Sequence, residues 1–338
     1  MIIVLKPGST DDDIGRIKDV LKDLDLQFHI SRGKHRTIIG LVGDEQYVPV
    51  ERVNSLECVE DVIRVMKPYK LVAREFNPGD SIVYADDVPI GDGFFTVMAG
   101  PCAVEDREMI METAEFLSSL GVKILRGGAF KPRTSPYSFQ GLGLKGLEYL
   151  REAGEKFGMK VITEVVGESE IDLVYEYADI LQIGTRNAQN FSLLKRVGEK
   201  PKPILLKRGF MNTVEELLLA AEYIALKGNM NIVLCERGIR TFETSTRNTL
   251  DISAVPVIKI QSHLPVIVDP SHASGRRDII APLAKAAMAA GANGIIVEVH
   301  PHPENALSDG KQSLNFEEFE ALYRDLEKLS QALGVKMA

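Results

Sequence analysis

The chain has 338 residues, enough for one full-sized domain and a small companion, and 45% of them are hydrophobic against 26% charged, which excludes disorder by composition. A net charge of −8 argues against broad electrostatic binding to nucleic acid or acidic membranes, and no window nears the roughly twenty apolar residues that span a bilayer. Three cysteines, Cys58, Cys102 and Cys235, form no CxxC pair, and the N-terminus lacks a basic n-region and an apolar h-region, so a reducing, cytoplasmic setting is expected.

Residues 1–67 read as a separate unit. Ile2 to Leu5 is a strand, Asp11 to Leu24 an amphipathic helix preceded by the caps Ser9 and Thr10, and Gln27 to Ser31 a second strand. Gly33-Lys34-His35 turns into a strand from Arg36 to Val42, and a short helix at Val50 to Ser55 and a strand at Val59 to Val65 follow. The order βαββαβ is the ferredoxin-like arrangement. Residues 68–93 are richer in Pro, Gly and Asp. The first part reads as linker, with a possible strand at Lys70 to Arg74, and the second as a hairpin from Ser81 to Ala85 through the turn Asp86-Asp87-Val88-Pro89.

From 94 to 338, strand-like and helix-like runs alternate eight times. The strands fall at Phe95–Ala99, Val122–Arg126, Lys160–Glu164, Ile180–Ile183, Ile204–Arg208, Ile232–Glu236, Val266–Asp269 and Ile295–Val299, with an amphipathic helix after each. Eight such units in about 245 residues suit a closed (β/α)8 TIM barrel, and no GxGxxG opens the first helix as a doubly wound sheet for dinucleotides would require. The fold expected is therefore α/β, a TIM barrel with a small N-terminal ferredoxin-like domain.

Barrel chemistry sits at the carboxyl ends of the strands. The stretch Arg126-Gly-Gly-Ala-Phe-Lys131-Pro132-Arg133-Thr134 after strand two combines three cations with backbone-restricting Gly and Pro, and further cations follow strands four (Arg186), five (Lys207, Arg208) and six (Arg237). In an acidic protein this distribution points to a substrate with several negative charges, such as one or two phosphorylated acids. Cys102, His272, Glu298 and Asp309 come from strands one, seven and eight and the loop after strand eight, neighbours once a barrel closes. A thiolate, an imidazole and two carboxylates suit Mn, Fe, Co, Zn or a similar divalent ion. On pattern alone His300, His302 and Asp269 compete for the same role.

The motifs Ala99-Gly-Pro-Cys102, Arg126-Gly-Gly-Ala-Phe-Lys131-Pro-Arg-Thr134, Gln182-Ile-Gly-Thr-Arg186, Leu206-Lys207-Arg-Gly209, Cys235-Glu-Arg-Gly238, Asp269-Pro-Ser-His272 and Val297-Glu298-Val-His, in this order, resemble 3-deoxy-D-arabino-heptulosonate 7-phosphate (DAHP) synthase over residues 80–338. The N-terminal unit resembles the ferredoxin-like regulatory extension of some members, in which an aromatic amino acid is a feedback inhibitor. The resemblance implies condensation of phosphoenolpyruvate with erythrose 4-phosphate at the entry to aromatic amino-acid synthesis, Tyr or Phe as effector, and a homotetramer. It makes Cys102, His272, Glu298 and Asp309 the metal ligands, and it removes His300 and His302 from that set.

The same resemblance makes Arg126, Lys131, Arg186, Lys207 and Arg237 the phosphoenolpyruvate clamp, and Lys131-Pro132-Arg133-Thr134 the part that also receives the sugar phosphate. Within this frame Lys131 is the expected proton donor to the developing alkoxide, its pKa depressed by neighbouring cations, and Glu164 orients or deprotonates the water that attacks C2. The competing readings are 3-deoxy-D-manno-octulosonate 8-phosphate synthase, which has a Lys-Ala-Asn-Arg type sequence in the loop after strand two, and a non-catalytic amino-acid sensor.

Overall fold

The computed structural model describes all residues except 34–35, 44–46, 64–66 and 133–134. It divides into two compact units, Met1–Gly79 and Asp80–Ala338.

In the first unit the strands β1 (Ile2–Leu5), β2 (Leu26–Arg32), β3 (Thr37–Gly43) and β4 (Val59–Ile63) form an antiparallel sheet in the order β2-β3-β1-β4, with helices α1 (Asp11–Leu21) and α2 (Val50–Asn54). The period of two puts Ile3, Leu5, Ile39 and Leu41 on one face. There they join Ile14, Ile17 and Leu21, which the helical period places on one side of α1. Thr10 caps α1 by accepting from the Asp13 N–H, and Asp13 returns the bond. Lys34, His35 and Val65, expected in a turn and at a strand end, lie outside the described residues.

No strand forms at Lys70–Arg74. The backbone there turns through bonds from the Ala73 N–H to Lys70 and the Phe76 N–H to Ala73. Side chains rather than a strand meet the second face of the sheet, for a Cβ on Gly40 would stand 2.7 Å from the Phe76 ring and 3.2 Å from Leu71. The first unit thus extends to Gly79, while the hairpin belongs to the second.

The second unit opens with the hairpin β5 (Ile82–Ala85) and β6 (Val88–Gly91), turned at Asp86-Asp87, where Asp86 has φ 56°. Eight parallel strands follow: β7 (Phe94–Gly100), β8 (Ile124–Arg126), β9 (Lys160–Val165), β10 (Ile180–Ile183), β11 (Ile204–Lys207), β12 (Ile232–Glu236), β13 (Val266–Val268) and β14 (Gly294–Glu298). Each pairs with the next, and β14 pairs with β7 from Gly294↔Thr96 to Glu298↔Gly100, so the sheet closes into a (β/α)8 barrel. Helices α3 (Arg107–Ser119), α4 (Leu144–Phe157), α5 (Ile171–Tyr177), α6 (Phe191–Gly198), α7 (Val214–Ala225), α8 (Ala254–Gln261), α10 (Ile280–Ala289) and α11 (Phe316–Leu333) provide the crossovers. The five-residue α9 (Pro270–Ser274) and a short β15 (Lys336–Met337) beside β7 are additions that periodicity did not predict.

Hairpin residues Val83, Ala85, Val88 and Ile90 pack with Met98, Ile124, Ile162, Ile180, Leu205, Val233, Ile267 and Ile296 of the strands in one buried cluster. Each such Val, Ile, Leu or Met side chain contributes roughly 1.5–3 kcal/mol by leaving water. The barrel interior is thus filled below the strand ends, which leaves the carboxyl end for polar chemistry.

Candidate metal centre and anion cavity

Cys102 follows β7 and is 1% exposed. Gly100 permits the close approach that puts it there, because at φ 148° a Cβ would stand 2.1 Å from the Arg126 carbonyl oxygen. Pairing continues past the strand ends: the Gly128 N–H donates to the Cys102 carbonyl at 3.1 Å and the Val104 N–H to that of Gly128 at 3.0 Å. Lys131 then folds back over Gly128, and its Nζ donates to the Cys102 carbonyl at 3.0 Å and to Sγ at 3.1 Å. Burial pushes the thiol up to about 12, Glu298 and Asp309 add to the rise, and Lys131 opposes it.

His272 sits on α9, whose N-cap Asp269 accepts from the His272 N–H at 2.8 Å. The other Asp269 oxygen is 2.8 Å from His272 Nδ1, leaving Nε2 3.3 Å from Glu298 Oε1. Burial lowers the His272 pKa against the pull of Asp269 and Glu298, so the ring is neutral with its proton on the Asp269 side. A carboxylate that fixes the tautomer and turns the other nitrogen inward is the usual support of a metal-binding imidazole. Asp269 also receives Lys207 Nζ, and with His272 and Lys207 outweighing its burial it stays ionised, well below the carboxylate range.

Glu298 ends β14 and is fully buried. Its Oε1 accepts from Arg126 Nη1 at 2.7 Å and its Oε2 from Gln312 Nε2 at 2.6 Å. Burial favours its neutral form, but the charges of Arg126 and Lys131 are among those that prevail and hold it below the ordinary carboxylate range. Asp309 completes the group in the left-handed conformation, φ 52°, 3.4 Å from Cys102 Sγ through Oδ2. One donor atom from each of Cys102, His272, Glu298 and Asp309 lies within 4.8 Å of all the others, and this S/N/O set fits a divalent transition ion.

Beside this group an open cavity of about 250 Å³ is lined by the cations Arg126, Lys131, Arg186, Lys207, Arg237 and Arg247, with Pro132, Glu164, Phe210 and the metal-type side chains His272 and Asp309. Arg126 and Arg237 are 5% and 3% exposed, and the Nε of each is buried without a hydrogen-bond partner among the described residues. Buried guanidinium donors left open beside a cavity suit an anionic ligand. Phe210 underlies this side: the guanidinium carbons of Arg186, Arg237 and Arg240 stand 5.8, 4.8 and 4.6 Å from its ring centre. Arg208, by contrast, points away into a buried pairing with Glu236 at 2.8 Å and Asp251 at 2.9 Å.

The geometry therefore brings together the four metal-type side chains and Arg126, Lys131, Pro132, Glu164, Arg186, Lys207 and Arg237. Arg133 and Thr134 lie outside the described residues. The pattern-based competitors stand apart: His300 Nδ1 accepts from the His302 N–H at 3.0 Å and Nε2 faces Glu105 at 3.6 Å, while Asp269 orients His272. One expectation is corrected. Burial and Arg126 pull the Lys131 pKa down, yet it is raised overall, with the Glu298 and Glu164 carboxylates among the groups that pull it up. Among the described residues Glu164 makes no ion pair; its carboxylate lies over Gly184, where a Cβ would meet Oε1 at 1.9 Å. Arg247, Gln312 and Phe210 escaped the sequence reading, since none of them is a charge at a strand end within one of the motifs.

Residues 71–334 match the model of the DAHP synthetase I family, and residues 1–67 that of the DAHP synthase ferredoxin-like domain. A phospho-2-dehydro-3-deoxyheptonate aldolase of Thermotoga maritima is 65% identical over 337 residues, covering 100% of both chains. A 2-dehydro-3-deoxyphosphooctonate aldolase of Syntrophobacter fumaroxidans is 34% identical over 71% of this chain and 88% of its own. The crystal structure of a DAHP synthase from Thermotoga maritima covers 100% of this chain and 99% of its own, with TM-score 0.80 and 64% identity.

Proposed function

The chain belongs to the DAHP synthetase I family, and on that premise we propose that it joins phosphoenolpyruvate and D-erythrose 4-phosphate to give 3-deoxy-D-arabino-heptulosonate 7-phosphate and phosphate, using one divalent metal ion held by Cys102, His272, Glu298 and Asp309. The observation that carries the reading is the joining of that four-residue S/N/O set to a cavity walled by six cations in an acidic protein. Bound there, the ion supplies Lewis acidity toward the aldehyde of the sugar phosphate.

The chain's own residues do the rest. Arg186 and Arg237 take the phosphate of phosphoenolpyruvate, whose departure leaves charge for their guanidinium groups to stabilise. Arg126 and Lys207 fix its carboxylate and phosphate, and both also anchor the metal centre through Glu298 and Asp269. Lys131, kept protonated by its anionic surroundings, donates to the alkoxide oxygen formed as C3 of the enol attacks the aldehyde. Glu164 orients the water that attacks C2. Pro132 with Arg133 and Thr134 receives the sugar phosphate.

The first unit is read as a binding domain for Tyr or Phe that lowers activity, supported by its match to the family's ferredoxin-like domain. A homotetramer is the assembly that membership of the family implies. Among the described residues no helix is long and apolar enough to cross a membrane, and the three free cysteines support a reducing cytoplasm.

The test is phosphate release from phosphoenolpyruvate with erythrose 4-phosphate and, separately, with a five-carbon sugar phosphate, with and without chelator. Turnover with the four-carbon sugar that chelator abolishes and Mn or Co restores is expected. Activity in a metal-stripped preparation would sink the metal assignment, and preference for the five-carbon sugar would turn the reading to the octulosonate enzymes. No turnover with any aldose, alongside tight Tyr or Phe binding, would point to a sensor. Inhibition that survives deletion of residues 1–67 would refute the regulatory domain, and sedimentation tests the tetramer.

A further inference from the structure

Arg247 has no part in the chemistry above, yet it joins two of the four metal-type side chains. Its Nη1 donates to Asp309 Oδ1 at 3.3 Å and to Gln312 Oε1 at 3.0 Å. Gln312 is 3% exposed, and its Nε2 reaches Glu298 Oε2 at 2.6 Å. A guanidinium only donates, so it dictates which way this buried amide faces: the oxygen must meet Arg247, which leaves the nitrogen for Glu298. Turned over, the amide would set its oxygen against the carboxylate and leave one lobe of Glu298 unfixed.

The backbone beside Arg247 is tied to a third member. The Arg247 N–H donates to Ser274 at 2.9 Å and the Asn248 N–H to Ala273 at 2.8 Å, while Asn248 Nδ2 donates to the His272 carbonyl at 3.1 Å. Close packing holds the stretch in place, because a Cβ on Gly275 would stand 2.5 Å from Arg247 Cβ. The Arg247–Asp309 pair, with side chains 40% and 25% exposed, contributes little to stability as an ion pair. Its buried arm through Gln312 gives it a different use.

We propose that Arg247, acting through Gln312, is a positioning residue of the metal centre: it holds the Asp309 and Glu298 carboxylates in the arrangement that receives the ion and so sets metal affinity. This rests on the metal reading, and the experiment separates the two. Metal-free full-length protein is titrated with Co(II) while the thiolate-to-cobalt absorption is followed. If the wild type binds no cobalt with that signature, the metal reading itself fails.

Given wild-type binding, Arg247→Met weakens cobalt affinity about tenfold or more while the unfolding midpoint of the metal-free protein stays put. Arg247→Lys, able to pair with one partner but not to bridge two, falls between. Gln312→Leu weakens binding comparably, and the double variant is no weaker than the worse single one. Affinity within about twofold of wild type in Arg247→Met overturns the proposal, and losses that multiply in the double variant overturn the relay. Should Arg247→Met be insoluble, Gln312→Leu decides the matter, and unchanged cobalt affinity in that variant overturns the proposal.

Discussion

Lys131 Nζ lies 3.1 Å from Cys102 Sγ, so the candidate proton donor and the candidate metal thiol share one buried contact. The thiol is pushed up to about 12 by burial, whereas burial lowers the His272 pKa and the cations around Glu298 hold it ionised. Near pH 7.5 the metal-free site therefore carries one removable proton, on Cys102. Metal binding should release about one proton per ion. As pH falls through the depressed His272 pKa, the count should rise and affinity fall. Calorimetry in buffers of differing ionisation enthalpy measures the count; a value near zero would mean a preformed thiolate and contradict this account.

The same contact depends on Gly128. A Cβ there would stand 2.7 Å from Lys131 Cδ and 2.8 Å from the Cys102 carbonyl oxygen, and the second of these is backbone that cannot swing aside. Gly128→Ala should lower turnover at least about tenfold by displacing Lys131, while the barrel stays folded. Wild-type kcat in this variant would show that the Lys131–Cys102 contact is dispensable.

His300 and His302 lie just past Glu298, the last residue of β14, but their bonds point elsewhere. His300→Asn keeps an acceptor for the His302 N–H and should leave cobalt affinity within about threefold of wild type, at a stability cost of about 1 kcal/mol for the imperfect replacement. His272→Asn should abolish binding. Equilibrium dialysis of both variants decides, and loss of metal in the first would return His300 to the candidate ligands.

The barrel was legible because apolar strands and amphipathic helices alternate, and the mouth because strand ends collect Arg126, Arg186, Lys207 and Arg237 against an acidic background. Spacing alone left His300 and Asp269 level with His272, since which strand-end side chain turns inward depends on a cap: Asp269 starts α9 and thereby aims His272. Gln312 and Arg247 were invisible for a related reason. Their contact spans 65 residues and joins an amide to a guanidinium, a pairing with no periodic signature. The segment at 70–74 misled because an apolar run reads as strand wherever it packs on a sheet, even when it meets the face at Gly40 through side chains such as Leu71.

Thr213 caps α7, accepting from the Glu216 N–H at 3.1 Å while the Thr213 N–H donates to the Glu216 carboxylate at 2.7 Å. Thr213→Ala should cost about 1 kcal/mol and lower the melting temperature of the barrel by a few degrees without changing KM. The Thr213 backbone bond holds the Glu216 pKa below its ordinary value despite slight opposition from burial, so its contribution is present above the unfolded carboxylate pKa and fades as pH falls through the lower folded one. Thr213→Ala keeps that backbone bond, so its deficit should change little with pH, whereas the deficit of Glu216→Ala should shrink in melts below about pH 4; a Glu216→Ala deficit constant with pH would argue against the reciprocal cap.

Arg237 is 3% exposed, its pKa is lowered by burial, and its guanidinium carbon lies 4.8 Å from the Phe210 ring centre with Nε open. A lysine would keep the charge but lose the forked donors that match a phosphate and the broad contact a guanidinium makes with a ring. Arg237→Lys should raise the KM for phosphoenolpyruvate at least about tenfold and weaken inhibition by inorganic phosphate in parallel, with little change in melting temperature. Since Arg237 is buried, the loss should persist at about 0.5 M salt, where the screening length of about 4 Å erases only exposed attractions. An unchanged KM would make Arg237 a packing residue and move the phosphate to Arg186 and Lys207.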